Sequence, residues 1–478
     1  MSERPNILLI TTDQQRWDTI HAAGNASIFT PHLDWLCHTG VNFSRCYTDC
    51  PVCAPSRATV MTGQHAWRHG QINNDGKPSP MANRPTLPGI LTAAGYQTRG
   101  EGKMHFHPAR ANYGFEHMSI LPDYYREMRK LAHVSPPMDH GLGQNEMEPG
   151  FSTTDERHTA THWTAERGID FLETRDTTRP FFMWLSFSKP HPPFDPVKHY
   201  WDIYDGIPMP DPARGDWSAT PDDVPQGFFQ PTRHLNNIDT FSVEKIRAVR
   251  RAYYALISQI DYNLGLLFAR MREMNLLGNT WIFFTSDHGE MLGDHHLGAK
   301  SLFLEGSAHV PLLMRPPGQW RGDARGGTTD DRLVCLADIL QTSLNIAEVR
   351  APDNLVTDGV NLLDPAAQRT ELIGECGDAY VIMEGSLKYH YTALGGGELL
   401  FDIASDPYEL RNLVKDRKHA SKLKAFRSRL LTHLANRKPA EIATGVLPIK
   451  PVGTLREQRL GVWPGFHHRT DEGCDLLH

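Results

Sequence analysis

Short apolar runs recur along the chain, each ending in polar residues, and segments with apolar positions at helical spacing lie between them. Asn6-Ile7-Leu8-Leu9-Ile10 runs into Thr11-Thr12-Asp13 and reads as a buried central strand with a polar carboxyl end. Phe181-Phe182-Met183-Trp184-Leu185 and Trp281-Ile282-Phe283-Phe284 repeat this pattern, and the latter delivers Ser286-Asp287-His288-Gly289. Val310-Pro311-Leu312-Leu313-Met314 is a further strand candidate. Ile246, Val249, Tyr253, Leu256, Ile257, Ile260 and Leu264 predict a long helix over residues 243–277. Strands alternating with helices place the chain in the α/β class, with a large, mostly parallel sheet sandwiched by helices. Ligands of such sheets bind beyond the carboxyl ends of the strands, so the polar residues after each run are where chemistry is expected.

Residues 120–160 and 200–240 are rich in Pro, Gly, Asp and Met with weak periodicity, and read as long loops where specificity would lie. Trp201, Tyr204 and Trp217 there read as loop packing ahead of a sugar-stacking wall. After residue 368, short pieces such as Tyr380-Val381-Ile382 and Leu399-Leu400-Phe401 precede one helical stretch over 415–434. The expected division is a catalytic domain over 1–370, a small α+β domain over 371–440 and a tail over 441–478. That tail, with Trp463 and Phe466, either docks on its own subunit or joins subunits into a homo-oligomer.

Composition narrows the classes. The 478 residues are 40% hydrophobic and 22% charged, ordinary for a soluble globular protein. A net charge of −7 argues against a nucleic-acid surface and requires any anionic substrate to be drawn into a focused basic pocket. No run reaches the ~18 apolar residues of a membrane span. Met1-Ser2-Glu3-Arg4-Pro5 leads straight into a strand without the regions of a secretory signal, which points to the cytoplasm, or to the periplasm for a chain trimmed of its signal. Seven thinly spread cysteines suit reduced thiols better than a disulfide framework.

The most informative segment is Cys53-Ala54-Pro55-Ser56-Arg57-Ala58-Thr59-Val60-Met61-Thr62-Gly63. Pro55 can open a helix at its first turn, and a reactive residue just before it would sit at the positive helix end, where a thiol is acidified and an anion stabilised. Arg57 adds a planar charged fork suited to a tetrahedral oxyanion. The alternatives are a buried free cysteine, or a Cys50-Pro51-Val52-Cys53 redox pair that lacks a thioredoxin context.

Cys53-Ala54-Pro55-Ser56-Arg57 with Thr62-Gly63 resembles the C-x-P-S-R…T-G motif of the type I sulfatases, in the alkaline phosphatase superfamily. The resemblance implies that a formylglycine-generating enzyme oxidises Cys53 to an aldehyde. Its hydrate would attack sulfur with one hydroxyl and expel sulfate with the other. Pro5-Asn6-Ile7-Leu8-Leu9-Ile10-Thr11-Thr12-Asp13 resembles the family's first metal-binding strand, with Asp13 as ligand; Gln14 stands where a second aspartate is frequent, and its neutral amide oxygen can still bind a hard cation. Thr285-Ser286-Asp287-His288-Gly289 is similar to the second metal segment, implying Asp287 and His288 as ligands. The implied cofactor is one divalent cation, calcium, with manganese the alternative that an imidazole ligand favours. Asp294, His295 and His296 lie nearby but match no ligand position, and read as surface or supporting residues.

Other matches assign further roles. Gly102-Lys103-Met104-His105 matches a G-K-x-H segment: Lys103 would bind a sulfate oxygen and His105 take the proton of the second hydroxyl. A Lys and a His two apart in an extended segment point to one side. His107 has no match and reads as structural. Ser188-Lys189-Pro190-His191-Pro192-Pro193-Phe194 resembles an H-x-P-F segment whose His191 would protonate the leaving group. Lys300 matches a second sulfate-binding lysine, and Asn74, with Asn73 as competitor, a substrate-contacting asparagine. Leu400 to Leu413 resembles the L-x-D-x-x-x-D-P-x-E-x-x-N-L motif of the family's small antiparallel-sheet domain.

The expected activity is hydrolysis of small-molecule sulfate esters. The rival on the same scaffold is a phosphonate monoester or phosphodiester hydrolase, against which the Lys103/His105 pair speaks. A non-catalytic binding protein would have lost site residues, and Gln14 is the only departure. Sulfated sugars, choline sulfate and aryl sulfates remain open as substrates.

Overall fold

β1 (Asn6–Asp13) is buried along all eight residues, and its side chains divide by parity between two cores. Ile7 and Leu9 enter one apolar cluster with Val60, Met61, Ile339 and Leu340. Leu8 and Ile10 enter another with Ala165, Leu172, Ile260, Leu264 and Leu267. Alternation in a strand sends neighbours to opposite faces, so a continuous apolar run needs cover on both. Helices Cys53–Thr62 and Asp338–Ile346 cover the first face, and Ala160–Thr174 and Val243–Glu273 the second.

The computed structural model describes residues 4–452, apart from 75, 77–78, 132, 134–139, 234–235, 319–325 and 443–444. Following β1 in chain order are β2 (Val41–Phe43), β3 (Cys46–Tyr47), β4 (Gln97–Gly102), β5 (His117–Ile120), β6 (Phe181–Pro190), β7 (Thr280–Ser286) and β8 (His309–Val310). Then come β9 (Leu312–Arg315), β10 (Thr328–Asp330), β11 (Val334–Cys335), β12 (Glu371–Cys376), β13 (Ala379–Glu384), β14 (Leu387–Thr392) and β15 (Gly397–Asp402). The eight-stranded main sheet has the order β10-β2-β9-β7-β1-β6-β4-β5. Every pairing in it is parallel except the two made by β9. β1 lies between β6 and β7, with Ile7 opposite both Phe182 and Trp281, so three carboxyl ends finish side by side.

The 310–314 run forms two strands in different sheets. Pro311 has no N–H for a ladder, and the chain leaves the three-stranded sheet β11-β3-β8 there to enter the main one. The segments expected as long loops contain helices Leu121–Met128, Lys198–Asp202 and Gln226–Arg233. These are too short for their periodicity to stand out from Pro- and Gly-rich flanks. Tyr204 and Trp217 are buried, and Trp217 stacks on His295 at 4.5 Å, which makes both packing residues.

β12 to β15 form an antiparallel meander. Leu423, Phe426, Leu430 and Leu434 of helix Ala420–Arg437 pack on its Tyr380 and Ile382 face, while Val381 and Met383 face Tyr47 and Cys50 of the main body. The junction holds a buried ion group. Lys388 meets Glu305 at 2.6 Å and Glu409 at 3.1 Å, His309 meets Glu305 at 2.7 Å, and His390 meets Glu409 at 3.2 Å. Trp463, Phe466 and most of the tail lie outside the described residues. No helix among the described residues is long and apolar enough to cross a membrane.

Candidate active site

Cys53 is the first residue of helix Cys53–Thr62, and extended Val52 precedes it without a capping side chain. The missing cap comes from afar: the Ala54 N–H donates to Asn74 Oδ1 at 3.1 Å, so exposed Asn74 sits at this helix end. Asn73 makes no such contact. The helix ends at Gly63, whose left-handed φ of 65° returns its N–H to the Thr59 carbonyl. The Cys53 side chain therefore points from a helix N-terminus toward the tips of β1 and β7.

Register explains what it meets there. Thr12 pairs with Ser286 and Asp13 with Pro190, so Asp13, the Asp287-His288 pair and the approach to His191 leave the sheet at one level. Cys53 Sγ lies 3.2 Å from His288 Nε2 and 3.8 Å from Asp13 Oδ1. Ligand atoms of Asp13, Cys53, Asp287 and His288 all fall within 4.8 Å of one another, and all four residues are buried. Two carboxylates, one imidazole and the reactive position are a donor set that fits a divalent cation. His288 Nδ1 faces the Gly289 carbonyl at 3.0 Å; a carbonyl only accepts, so Nδ1 carries the hydrogen and Nε2 is left to bind.

Cations surround this group. Arg57 Nε donates to Asp287 Oδ2 at 3.0 Å and its Nη2 to Asp13 Oδ2 at 3.1 Å; Nη1 goes to Ser186 Oγ at 2.8 Å and to the Lys103 carbonyl. Its fork is thus occupied by the carboxylates and not aimed at an open oxyanion position. Lys103 Nζ reaches Asp13 Oδ2 at 2.7 Å. Lys300 Nζ lies 2.6 Å from Gln14 Oε1 and 3.6 Å from Cys53 Sγ. The amide oxygen of Gln14, the atom expected to bind the cation, accepts from Lys300.

The electrostatic consequences follow. Burial works to raise the Asp13 carboxyl, but Lys103, His191, Arg57 and Lys300 together hold it well below the usual range. Burial and the Asp13 charge push Asp287 up. The Cys53 thiol, opposed by burial and Asp13, is pulled well down by Lys300, Lys103 and His288. Burial, then Lys300 and Lys103, push His191 well below the ordinary imidazole value. His191 Nδ1 is 2.8 Å from the Pro192 carbonyl, which fixes the hydrogen there and leaves Nε2 free.

A cavity of about 80 Å³ opens beside Lys103 and His191, with Tyr124, Tyr125, Gln144 and Ser152 in its wall. His105 makes no hydrogen bond or ion pair with the group among the described residues. β4 ends at Gly102, where φ turns to 94°, and His105 itself has a left-handed φ of 55°, so the segment carrying Lys103 and His105 does not continue the strand. The buried His105 Nδ1 has no hydrogen-bond partner among the described residues, and the ring lies 5.7 Å from His107. Asp294 is held between Arg16 at 2.7 Å and Arg250 at 2.6 Å, and His295 bonds Ser218 at 2.8 Å, so both serve packing.

Sequence reading passed over Ser186 and Glu290. Ser186 Oγ joins Arg57, Thr11 and the Lys103 carbonyl, and its only signal was one hydroxyl inside an apolar strand. Glu290 is fully buried two residues beyond His288 and binds the Gln14 amide.

A family model described as Sulfatase matches residues 5–349. An arylsulfatase of Clostridium perfringens is 32% identical over 95% of this chain and 100% of its own length. A choline-sulfatase of Rhizobium meliloti is 32% identical, covering 90% of this chain and 87% of that protein. Among solved structures, a phosphonate monoester hydrolase of Agrobacterium radiobacter superposes with a TM-score of 0.78 at 27% identity, over 91% of this chain and 96% of that one.

Proposed function

The chain belongs to the sulfatase family and is a sulfuric ester hydrolase, and from that premise we propose that an oxidised Cys53 acts on the ester while Asp13, Asp287 and His288 hold a divalent cation beside it. The convergence of Asp13, Cys53, Asp287 and His288 within 4.8 Å carries this reading. Formylglycine at position 53 would supply, as its hydrate, the nucleophilic hydroxyl. A bound calcium ion, or manganese, would supply positive charge and favour the ionised form of that hydroxyl.

The remaining work falls to side chains. Arg57 donates to both the Asp13 and the Asp287 carboxylate and holds them side by side with its fork. Lys103 and Lys300 flank position 53 and bind the sulfate oxygens, stabilising charge with preorganised, buried ammonium groups. Asp287, its carboxyl raised, accepts the proton of the attacking hydroxyl. His191 Nε2 delivers a proton to the bridging oxygen; an anionic ester among these cations opposes the repulsion that keeps the ring neutral. The unpartnered Nδ1 of His105 takes the proton of the second hydroxyl. Asn74, at the exposed rim, contacts the substrate, and Gln14 holds Lys300. A formylglycine-generating enzyme is the maturation partner, and the protein assembles as a homo-oligomer.

The likeness to the phosphonate monoester hydrolase favours phosphonate or phosphodiester cleavage as the second reading. Initial rates on an aryl sulfate, a phosphate diester and a phosphonate monoester decide between them, with the mass of the peptide spanning Cys53 confirming that its Cβ has lost sulfur and become an aldehyde. The sulfate is expected to react fastest. A preference for either phosphorus ester in converted protein would reverse the assignment.

A further inference from the structure

Glu290 is buried completely and faces the candidate site from behind Gln14. Its Oε1 accepts the backbone N–H groups of Leu292 at 3.0 Å and Ala299 at 2.5 Å, and its Oε2 accepts the side-chain amide of Gln14. On the other side of that amide, Gln14 Oε1 accepts from Lys300 Nζ at 2.6 Å, and Lys300 Nζ reaches Cys53 Sγ at 3.6 Å. An ionised carboxylate only accepts and an ammonium only donates. Between them the Gln14 amide has one tolerable orientation, because turning it over sets oxygen against carboxylate and NH₂ against ammonium.

The Gln14 backbone is already pinned. Its φ is 75°, its N–H donates to Asp287 Oδ1 at 3.1 Å, and its carbonyl accepts from Tyr253 at 2.6 Å. Only the side chain remains to be set. An aspartate at position 14 would lay a second carboxylate against Glu290, whereas the amide turns that repulsion into a hydrogen bond.

We propose that Glu290 is a positioning residue: it orients the Gln14 amide and so fixes the Lys300 ammonium against position 53. The chain of contacts runs from a carboxylate anchored on two backbone amides, through a neutral relay, to a cation at the reacting atom. This inference rests on the reading of Lys300 as a sulfate-binding lysine. It explains why a buried acid lies behind a site that must attract anions: Glu290 is kept one full side chain away from the substrate.

The test is kinetic and structural, on protein whose conversion at Cys53 and melting curve are matched between variants. In E290Q the new amide keeps its oxygen on Leu292 and Ala299 and presents NH₂ to Gln14, which inverts the relay and leaves Lys300 facing a donor. The kcat on an aryl sulfate should fall ~10- to 100-fold with little change in KM, as expected for charge stabilisation confined to the transition state. The Lys300 Nζ should leave hydrogen-bond distance of residue 14 in a crystal structure of that variant. In the swapped pair Q14E/E290Q Lys300 regains an acceptor at residue 14 while the carboxylate moves up beside position 53, so the Lys300 contact should return in a crystal structure but kcat should stay low. In a K300A background, E290Q should add nothing further.

Wild-type kcat in E290Q, a Lys300 Nζ that stays on residue 14 in that variant, or an E290Q loss that persists in full in K300A would each overturn the link. If K300A alone keeps wild-type kcat, the role of Lys300 in the proposed function falls, and the positioning role falls with it. A crippled K300A beside an additive E290Q loss removes the positioning role only.

Discussion

Lys300 Nζ lies 3.6 Å from Cys53 Sγ, although 247 positions separate the two residues in the chain. The ammonium is buried and touches no carboxylate in its ion pairs among the described residues, so its charge is directed at position 53 and the space before it. Lys300→Ala should lower kcat/KM on an aryl sulfate by ~10²- to 10³-fold, the scale of removing one preorganised donor. Converted protein, verified by mass, must show the loss; an unchanged kcat/KM would place the sulfate elsewhere.

Asp13 is the common partner of Arg57 and Lys103 and stands next to Cys53 and His288. Asp13→Asn should weaken calcium or manganese binding, measured by calorimetric titration, by more than the ~10- to 100-fold typical of a residue that merely supports a ligand. Chelation should abolish turnover of the wild type, and added calcium or manganese restore it. Full activity after exhaustive chelation would remove the cation from the mechanism.

Lys388 is enclosed between Glu305 and Glu409 where the small sheet meets the main body. Lys388→Met leaves two buried carboxylates without their ammonium and should cost ~3–5 kcal/mol in denaturant unfolding. Proteolysis should then release the segment after residue 370 sooner than in the wild type. A loss below about 1 kcal/mol would show that His309 and His390 suffice to balance the acids.

Glu101 supplies a pH signature away from the reacting atoms. Burial raises its carboxyl from the ordinary 4.5 to about 7, against the opposing charge of Arg99. The folded state therefore binds the proton more tightly than the unfolded chain does. Its contribution is fully present below about 4.5, falls as pH rises toward 7 and is lost above that. Glu101→Gln should flatten this part of the stability profile and raise stability at pH 8 by on the order of 2 kcal/mol. Parallel profiles of wild type and variant would refute the shifted carboxyl.

Much of the fold was legible because its central strands are apolar on both faces. Asn6 to Ile10, Phe181 to Leu185 and Trp281 to Phe284 are such runs, and all lie in adjacent strands of one sheet. The 31-residue helix Val243–Glu273 announced itself by spacing alone. Position 311 misled: an apolar run does not say which sheet it joins, and the proline divides it between two. The short helices within 120–160 and 200–240 were hidden because their packing partners lie far away in the chain. At the site, Asp13, Cys53, Asp287 and His288 stood out through local motifs, whereas Glu290 and Ser186 act through distant partners and left almost no local signal.

By itself the sequence determined the α/β class, the family likeness and the identities of the reactive groups, because periodicity and short motifs are local properties of the chain. The tertiary structure alone decided what those groups face. It turned the Arg57 fork onto two carboxylates, set the Gln14 amide oxygen on Lys300, and left the His105 ring outside the hydrogen bonds of the group among the described residues. Hydrogen bonds and ion pairs act over a few ångströms in space, and strand register and helix packing, not distance along the chain, determine which atoms come that close.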